Sequence, residues 1–278
     1  MQRREFLTIA CAGAAGTLLP GLASAQSVTV AQIKAAGELK IGCEAAYVPF
    51  TYRDAGKIVG YDVELAELFC KTLGVKPNFI DTAWAGVIPS LYAKKFDIIM
   101  SSMSYTKERL ERVAFSLPYA EASQAMLIRA GDTGAIKAVS DLNGRVLAVK
   151  LGSPGQVLQE KMLASLKAAG GAGFKELRVF DDHPSAYVAL AQNRVDVVLN
   201  TIPTLAMVLK DAPGKYAIVK GIGADNWAGI AVRKEDPEIV SFLNGELARL
   251  KADGTIYKLQ EKWFGFRMTL ADKIPSFS

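Results

Sequence analysis

Ser101, Ser102 and Ser104 stand at the end of an apolar run that starts at Phe96, and Arg109 follows shortly after them. A hydroxyl donates one hydrogen bond and accepts others, and a backbone carbonyl accepts from an ammonium. The planar guanidinium gives a carboxylate two parallel charge-assisted bonds, which a lysine cannot do. Serines, strand-end carbonyls and an arginine therefore suit a small molecule that carries a carboxylate and an amine. Taken alone, Arg109 reads as a surface residue of a starting helix, among Lys107, Glu108, Glu111 and Arg112. Gly152-Ser153-Pro154-Gly155 reads as a second helix start, with Ser153 as N-cap and Pro154 at the first helical position. The free N–H groups and positive dipole end of such a terminus attract a carboxylate. Other chemistries are poorly supplied. His183 is the single histidine, which excludes a histidine-based triad and a multi-histidine metal site. Its place before Pro184 and a helix start at Ser185 marks it as a loop residue. Cys43 and Cys70 have no metal-type spacing; they either pair in an oxidising compartment or are two small buried residues. No cofactor is expected.

The elements that must position these groups alternate, as in an α/β protein. Strand-like runs at 38–43, 76–81, 96–100, 144–150, 176–181, 195–200 and 226–234 are separated by helix-like runs at 62–74, 85–95, 156–170 and 184–194, and helices at 237–254 and 256–265 close the chain. The two halves repeat one another. Leu91 precedes Asp97 by the same interval as Leu190 precedes Asp196, and apolar strands follow both, Ile98-Ile99-Met100 and Val197-Val198-Leu199. Each strand then runs into polar residues, Ser101-Ser102 in one and Asn200-Thr201 in the other. Two similar α/β lobes are the expectation. Ligands of open α/β sheets bind beyond the carboxyl ends of the strands, so both polar ends should face one cleft. The chain would cross between lobes near Pro118-Tyr119 and again near Gly221–Asn226, forming a two-crossing hinge. The expected division is 26–120 plus 224–278 for one lobe and 121–223 for the other.

The ends and the composition set the context. "MQRREFLTIACAGAAGTLLPGLASA" has a basic start, an apolar middle and Ala23-Ser24-Ala25 before Gln26, the order of a signal peptide cleaved after Ala25. Arg3-Arg4 gives it a twin-arginine-like form, with the general secretory route as the alternative. The chain of 278 residues is 50% hydrophobic and 22% charged, enough for a core and for two domains. Losing Arg3, Arg4 and Glu5 with the leader takes the net charge from +5 to +4. The basic residues are scattered over helices, so no nucleic-acid partner is expected. No later apolar run is long enough to span a bilayer. An exported, periplasmic, soluble protein is the expectation.

Four stretches add a resemblance: "LKIGCEAAYVPFTYRDAGKIVGYDVELAELFCKTLG", "IPSLYAKKFDIIMSSMSYTKERLERVAFSLPY", "LNGRVLAVKLGSPGQ" and "RLKADGTIYKLQEKWFG". Together they resemble, over about residues 33 to 266, the periplasmic amino-acid-binding proteins of ABC importers, the family 3 extracellular solute-binding proteins. The resemblance implies a type II periplasmic binding protein-like fold, two α/β lobes that close by a hinge motion over a small carboxylated solute. It implies delivery of that solute, an amino acid, to an ABC permease of the inner membrane, by a monomer. It assigns the carboxylate to Arg109 and Ser104, and the amine to the Ser102 carbonyl and the Ser104 hydroxyl, with Ser101 beside them. Tyr47 and Trp84 match aromatic positions that stack on the ligand side chain. Glu44 matches a side-chain-reading position often acidic in receptors for basic amino acids. Lys150 matches a pocket-lining position and invites a second carboxylate. Ser153, Asn200 and Thr201 complete the far side. Each charged hydrogen bond contributes about 1.5–3 kcal/mol, so four or five support micromolar binding after association costs.

Two departures from the family pattern bear on the ligand. Pro154 has no N–H to give a ligand carboxylate, so Ser153 or Gly155 must substitute. The aspartate that usually neutralises the α-amino group aligns with Thr201, which is neutral, as is Asn200. A buried ammonium without a carboxylate partner is costly. Either Glu44 or Asp225 supplies the charge, or the amine sits elsewhere, or the ligand has none. The rival readings are a cyclohexadienyl dehydratase-like enzyme on the same fold, with Glu44 as a general acid, and a ligand-sensing domain of a membrane receptor.

Overall fold

Strands buried on both faces read as continuous apolar runs, and in α/β proteins they lie parallel under covering helices. A computed structural model describes residues 27–277 and places seven such residues, Ile98–Ser104, in one fully buried strand. The leader and its cleavage point lie outside the described residues. The first sheet runs in the order Lys76–Asp81, Glu38–Cys43, Ile98–Ser104, Trp227–Val232, Ala114–Phe115. Its first three strands are parallel, and Trp227–Val232 is antiparallel to Ile98–Ser104. The second sheet runs Glu176–Phe180, Val146–Lys150, Val197–Thr201, Gln124–Arg129, Tyr216–Val219, again three parallel strands followed by an antiparallel one. A small antiparallel sheet, Ala46–Tyr47, Thr51–Asp54 and Lys57–Val59, follows the first strand.

Parallel strands need crossovers, and here helices supply them. Tyr61–Leu73 buries Tyr61, Asp62, Leu65, Ala66, Phe69, Cys70 and Leu73, the spacing of one helix face, and ends at Gly74 in the left-handed conformation. That face packs with Leu243, Leu247, Leu250, Ile256 and Phe264 of the two C-terminal helices, Pro237–Ala252 and Thr255–Phe264. Pro154–Ala168 and His183–Ala191 cross over in the second sheet. Cys43 and Cys70 are both buried and unpaired.

The repetition seen in the sequence has a physical basis. Asp97 receives the Lys40 N–H at 2.9 Å and gives its own N–H to the Lys40 carbonyl at 2.9 Å. Asp196 does the same with Val146, at 2.8 Å each way. Arg233 donates to the carbonyls of Leu91 and Phe96, and Arg129 to those of Leu190 and Val195. Each aspartate ties the third strand to the first, and each arginine ties the antiparallel strand to the turn before the third.

The two crossings between sheets run side by side. The Ala122 N–H donates to the Asn226 carbonyl at 2.8 Å, and the Asn226 N–H donates to the Ser123 hydroxyl at 3.1 Å. The structure differs from the sequence reading in several places: strands Gln124–Arg129 and Tyr216–Val219 and helix Val30–Ala36 are absent from that reading. Ser101–Ser104 lie inside the strand rather than beyond it, because Trp227–Val232 pairs along them across a bulge between Gly229 and Ala231. His183 is no loop residue: Asp182 caps the helix, its carboxylate accepting the Ser185 N–H at 2.8 Å, and His183 is the buried first residue. Helix Ile202–Asp211 follows Thr201 directly and is absent from the sequence reading.

Candidate ligand-binding site

The carboxyl ends of the central strands of both sheets meet. From the first come Glu44, Ser101, Ser102 and Ser104; from the second, Lys150, Asn200 and Thr201; all are buried. Tyr47 arrives on the small sheet, Trp84 on the 3₁₀ turn Trp84–Gly86, and Arg109 on helix Lys107–Arg112. Ser153 caps Pro154–Ala168, accepting the Gln156 N–H at 3.3 Å, with Pro154 at the first helical position. Every residue expected from the sequence therefore lies in one region between the sheets. Asp225 does not: it is exposed on the second crossing, so Glu44 is the carboxylate at hand.

Ser102 is held on a frame of its own. Its φ is +48°, a left-handed value that a residue with a Cβ adopts only under constraint. The constraint is a pair of acceptors: its N–H reaches Tyr119 Oη at 2.9 Å and Asp62 Oδ2 at 3.2 Å. Burial lifts the Asp62 carboxyl to about 7, opposed by the bonds from Tyr119 and Ser102. Ser102 Oγ is buried without a hydrogen-bond partner among the described residues, so it can serve a ligand. Ser101 Oγ accepts the Glu44 N–H at 3.1 Å and lies 3.2 Å from Thr51 Oγ1, which fixes the start of the loop bearing Glu44 and Tyr47.

Arg109 is buried while Lys107, Glu108, Glu111 and Arg112 are exposed. Its guanidinium donates to the Ser104 carbonyl at 2.7 Å and the Gly152 carbonyl at 3.0 Å, and it lies 5.1 Å over the Trp84 ring. Burial brings it down to about 10, so it stays charged at neutral pH. Among the described residues no carboxylate lies within ion-pair distance of it.

The other contacts bridge the two sheets. Lys150 Nζ pairs with Glu44 Oε2 and lies 4.6 Å over Trp84 and 5.3 Å over Tyr47. Burial raises the Glu44 carboxyl and lowers the Lys150 ammonium, and each partner's charge opposes that shift in the other. Tyr47 Oη donates to Asn200 Oδ1 at 3.0 Å and lies 3.0 Å from Thr201 Oγ1. Trp84 Nε1 donates to the Gly152 carbonyl at 3.0 Å. Thr201 thus spends its hydroxyl on Tyr47 and Thr204, and Asn200 its amide on Tyr47, Tyr187 and the Thr201 N–H.

Among these groups lies a cavity of about 20 Å³, lined by Tyr47, Trp84, Ser101, Ser102, Ser104, Lys150, Ser153, Asn200 and Thr201 together with Gln124, Pro154 and His183; Glu44 and Arg109 do not line it, and Arg109 lines a neighbouring cavity of about 210 Å³ with Trp84, Gly152, Ser153 and Pro154. That is room for a water molecule, about 10–15 Å³ sufficing for one. A larger solute needs the sheets to move apart, and each contact above then becomes available to it. Sequence reasoning missed His183 and Gln124; Asp182 before His183-Pro184 was the available signal, a helix cap that puts the histidine on the helix.

Two α/β lobes joined by two paired crossings, with a buried polar cavity between them, define a two-lobed solute-binding protein. The chain belongs to the bacterial extracellular solute-binding proteins, family 3, which it matches over residues 39–266. It is similar to the L-cystine-binding protein TcyJ of Escherichia coli K12, at 30% identity over 86% of each chain. It is also similar to the ABC transporter arginine-binding protein 1 of that organism, at 31% identity over 83% of this chain and 92% of the relative. Among solved structures, an ancestral amino-acid-binding protein, a precursor of cyclohexadienyl dehydratase, superposes with a TM-score of 0.77 at 35% identity, covering 84% of this chain and 99% of that one. The holo arginine-binding protein of T. maritima gives 0.70 at 35% identity, covering 84% and 99%. The chain is accordingly a substrate-binding protein of the ABC-transporter type with the type II two-lobed fold. Among the described residues no helix is long and apolar enough to cross a membrane.

Proposed function

We propose that this chain, freed of residues 1–25, binds a carboxylated amino acid between its lobes in the periplasm and delivers it as a monomer to an inner-membrane permease. Residues 26–120 with 224–278 act as one lobe and 121–223 as the other. The observation that carries the reading is Arg109: a buried guanidinium with no carboxylate partner among the described residues, held at the contact between the lobes by one carbonyl from each. A ligand carboxylate replaces the Gly152 carbonyl on that fork, and Ser104 completes its binding. The ligand amine meets Ser102 and, in place of the missing aspartate, Glu44. Lys150, released from Glu44, is then the partner for a second anionic group. Relatives named for cystine and arginine binding support an amino acid as the class.

Closure follows from the same contacts, because a ligand that touches both lobes stabilises the arrangement in which they meet. Binding without turnover is the proposed activity. The dehydratase reading keeps one observation in its favour: Glu44 is a buried acid with a raised carboxyl, and His183, a second titratable group, lines the cavity that Lys150, the partner of Glu44, also lines. A thermal-shift screen of amino acids and dicarboxylates on the mature chain, with prephenate and arogenate turnover assayed beside it, separates the two. Stabilisation by an amino acid without turnover supports the binding reading, and turnover of either compound overturns it.

A further inference from the structure

His183 is 5% exposed, and among the described residues neither ring nitrogen makes a well-formed hydrogen bond, the Leu199 backbone being the one polar group in weak reach of it. A buried polar group left unsatisfied is costly, and native chains keep few of them without a use. Burial, reinforced by the Lys150 charge, pushes the imidazole well below its usual value, with only a smaller upward pull from the Leu199 backbone, so the ring is neutral. A neutral imidazole offers one donor and one acceptor. Its faces are taken: Tyr47 lies 5.6 Å away on one contact and Tyr187 6.1 Å on another, continuing a column of rings from Phe50. What the ring can present to a ligand is its edge, where both nitrogens are.

His183 stands between two spaces. The central cavity is one. The other, about 160 Å³, is lined by Val48, Tyr187, Thr204, Met207, Val208 and Asp211, apolar but for Thr204, the Tyr187 hydroxyl and one carboxylate. A cavity of about 150 Å³ holds a benzene ring. Among the described residues only Tyr47 and His183 line both spaces. Tyr47 belongs to the small sheet that follows the first strand and His183 to a helix of the second sheet. Any parting of the lobes therefore separates the two residues of this partition and joins the two spaces into one elongated site.

We propose that His183 is a specificity-determining contact: its imidazole edge hydrogen-bonds the middle of an elongated amino acid whose apolar or thioether-containing end fills the second cavity. The proposal rests on the reading that the ligand carboxylate is held at Arg109. A neutral imidazole beside the Lys150 ammonium disfavours a cationic side chain there, and the Met207 thioether suits a polarisable one.

The test uses calorimetry on the mature chain with L-alanine, L-methionine and S-benzyl-L-cysteine as probes. Burying the apolar end should make wild type prefer S-benzyl-L-cysteine to L-alanine by about tenfold or more. His183→Phe, which keeps a ring in the column but removes both nitrogens, and Met207→Trp, which fills the second cavity, should each reduce that preference to about threefold or less. His183→Gln restores a donor and an acceptor and should recover part of it. The proposal is overturned if wild type shows no preference, binds neither compound, or keeps its preference in both His183→Phe and Met207→Trp. Arg109→Ala distinguishes the two levels. If it abolishes binding while the preference proves independent of His183, the carboxylate reading stands and this proposal fails; if it binds as wild type does, the reading itself fails.

Discussion

The two lobes share a frame and differ where the frame ends. Asp97 and Asp196 make the same pair of bonds to the first strand of their sheets, and Arg233 and Arg129 brace the same turn. Beyond that point the first lobe extends its strand through Ser104 and braces Ser102 from behind with Asp62 and Tyr119. The second lobe stops at Thr201, turns at once into a helix, and ties its polar groups to side chains of the first. One lobe carries a pre-organised anchor, and the other carries contacts that exist only while the lobes meet. A scaffold repeated for stability leaves strand ends free to diverge, and recognition is placed in that divergence.

Buried titratable groups follow the same division. Lys150 of the second lobe neutralises Glu44 of the first, and removing one member leaves the other charge uncompensated, a loss of about 3–5 kcal/mol for a buried pair. Because the partners sit on different lobes, the chain can relieve the loss by parting them and hydrating Glu44. Lys150→Met should therefore lower the melting temperature and enlarge the radius of gyration in small-angle scattering. Adding Glu44→Gln should reverse most of both changes. A Lys150→Met protein with wild-type dimensions and melting temperature would show that the pair does not hold the lobes together.

The next effect is one of pH. The Asp62 carboxyl, near 7, lies above the ordinary carboxylate value, so the folded chain holds this proton where the unfolded chain has lost it. Its contribution is present below about pH 4 and is lost as pH rises to about 7, on the order of 4 kcal/mol. His183 of the second lobe acts oppositely: depressed by burial, it stays neutral when folded, and stability is lost as the unfolded chain takes the proton below pH 6.5. Asp62→Asn keeps an acceptor for the Ser102 N–H and removes the first contribution. Its melting temperature should fall steadily with acidification below about pH 6.5, whereas the wild-type curve is flattened by the opposing terms. Identical pH profiles for the two proteins would contradict the assignment of Asp62 to this window.

Much of this was legible in the sequence, for a physical reason in each case. The repeated leucine–aspartate–apolar pattern is visible because the aspartate has a fixed task at the base of the third strand. Ser153-Pro154 is visible because cap chemistry is local. Polar residues usually lie past a strand end, so the sequence alone sets the serines there; the pairing with Trp227–Val232, remote in sequence, draws them inside. His183 was hidden because its role depends on Tyr47 and Tyr187, which come from distant segments, and one isolated histidine carries no periodic signal. The unused Asp62 side chain lay on an apolar helix face without local explanation; its partner, Ser102, is 40 residues away.

The central claim is that Arg109 grips a ligand carboxylate, and a double-mutant cycle tests it directly. An amino acid identified by the screen and its decarboxylated amine are titrated against wild type and Arg109→Ala by calorimetry. Removing either the carboxylate or the guanidinium should weaken binding by about 100-fold or more, and removing both should cost little beyond removing one. An amine that binds wild type as tightly as its parent amino acid, or an Arg109→Ala protein that binds the amino acid unchanged, would contradict it.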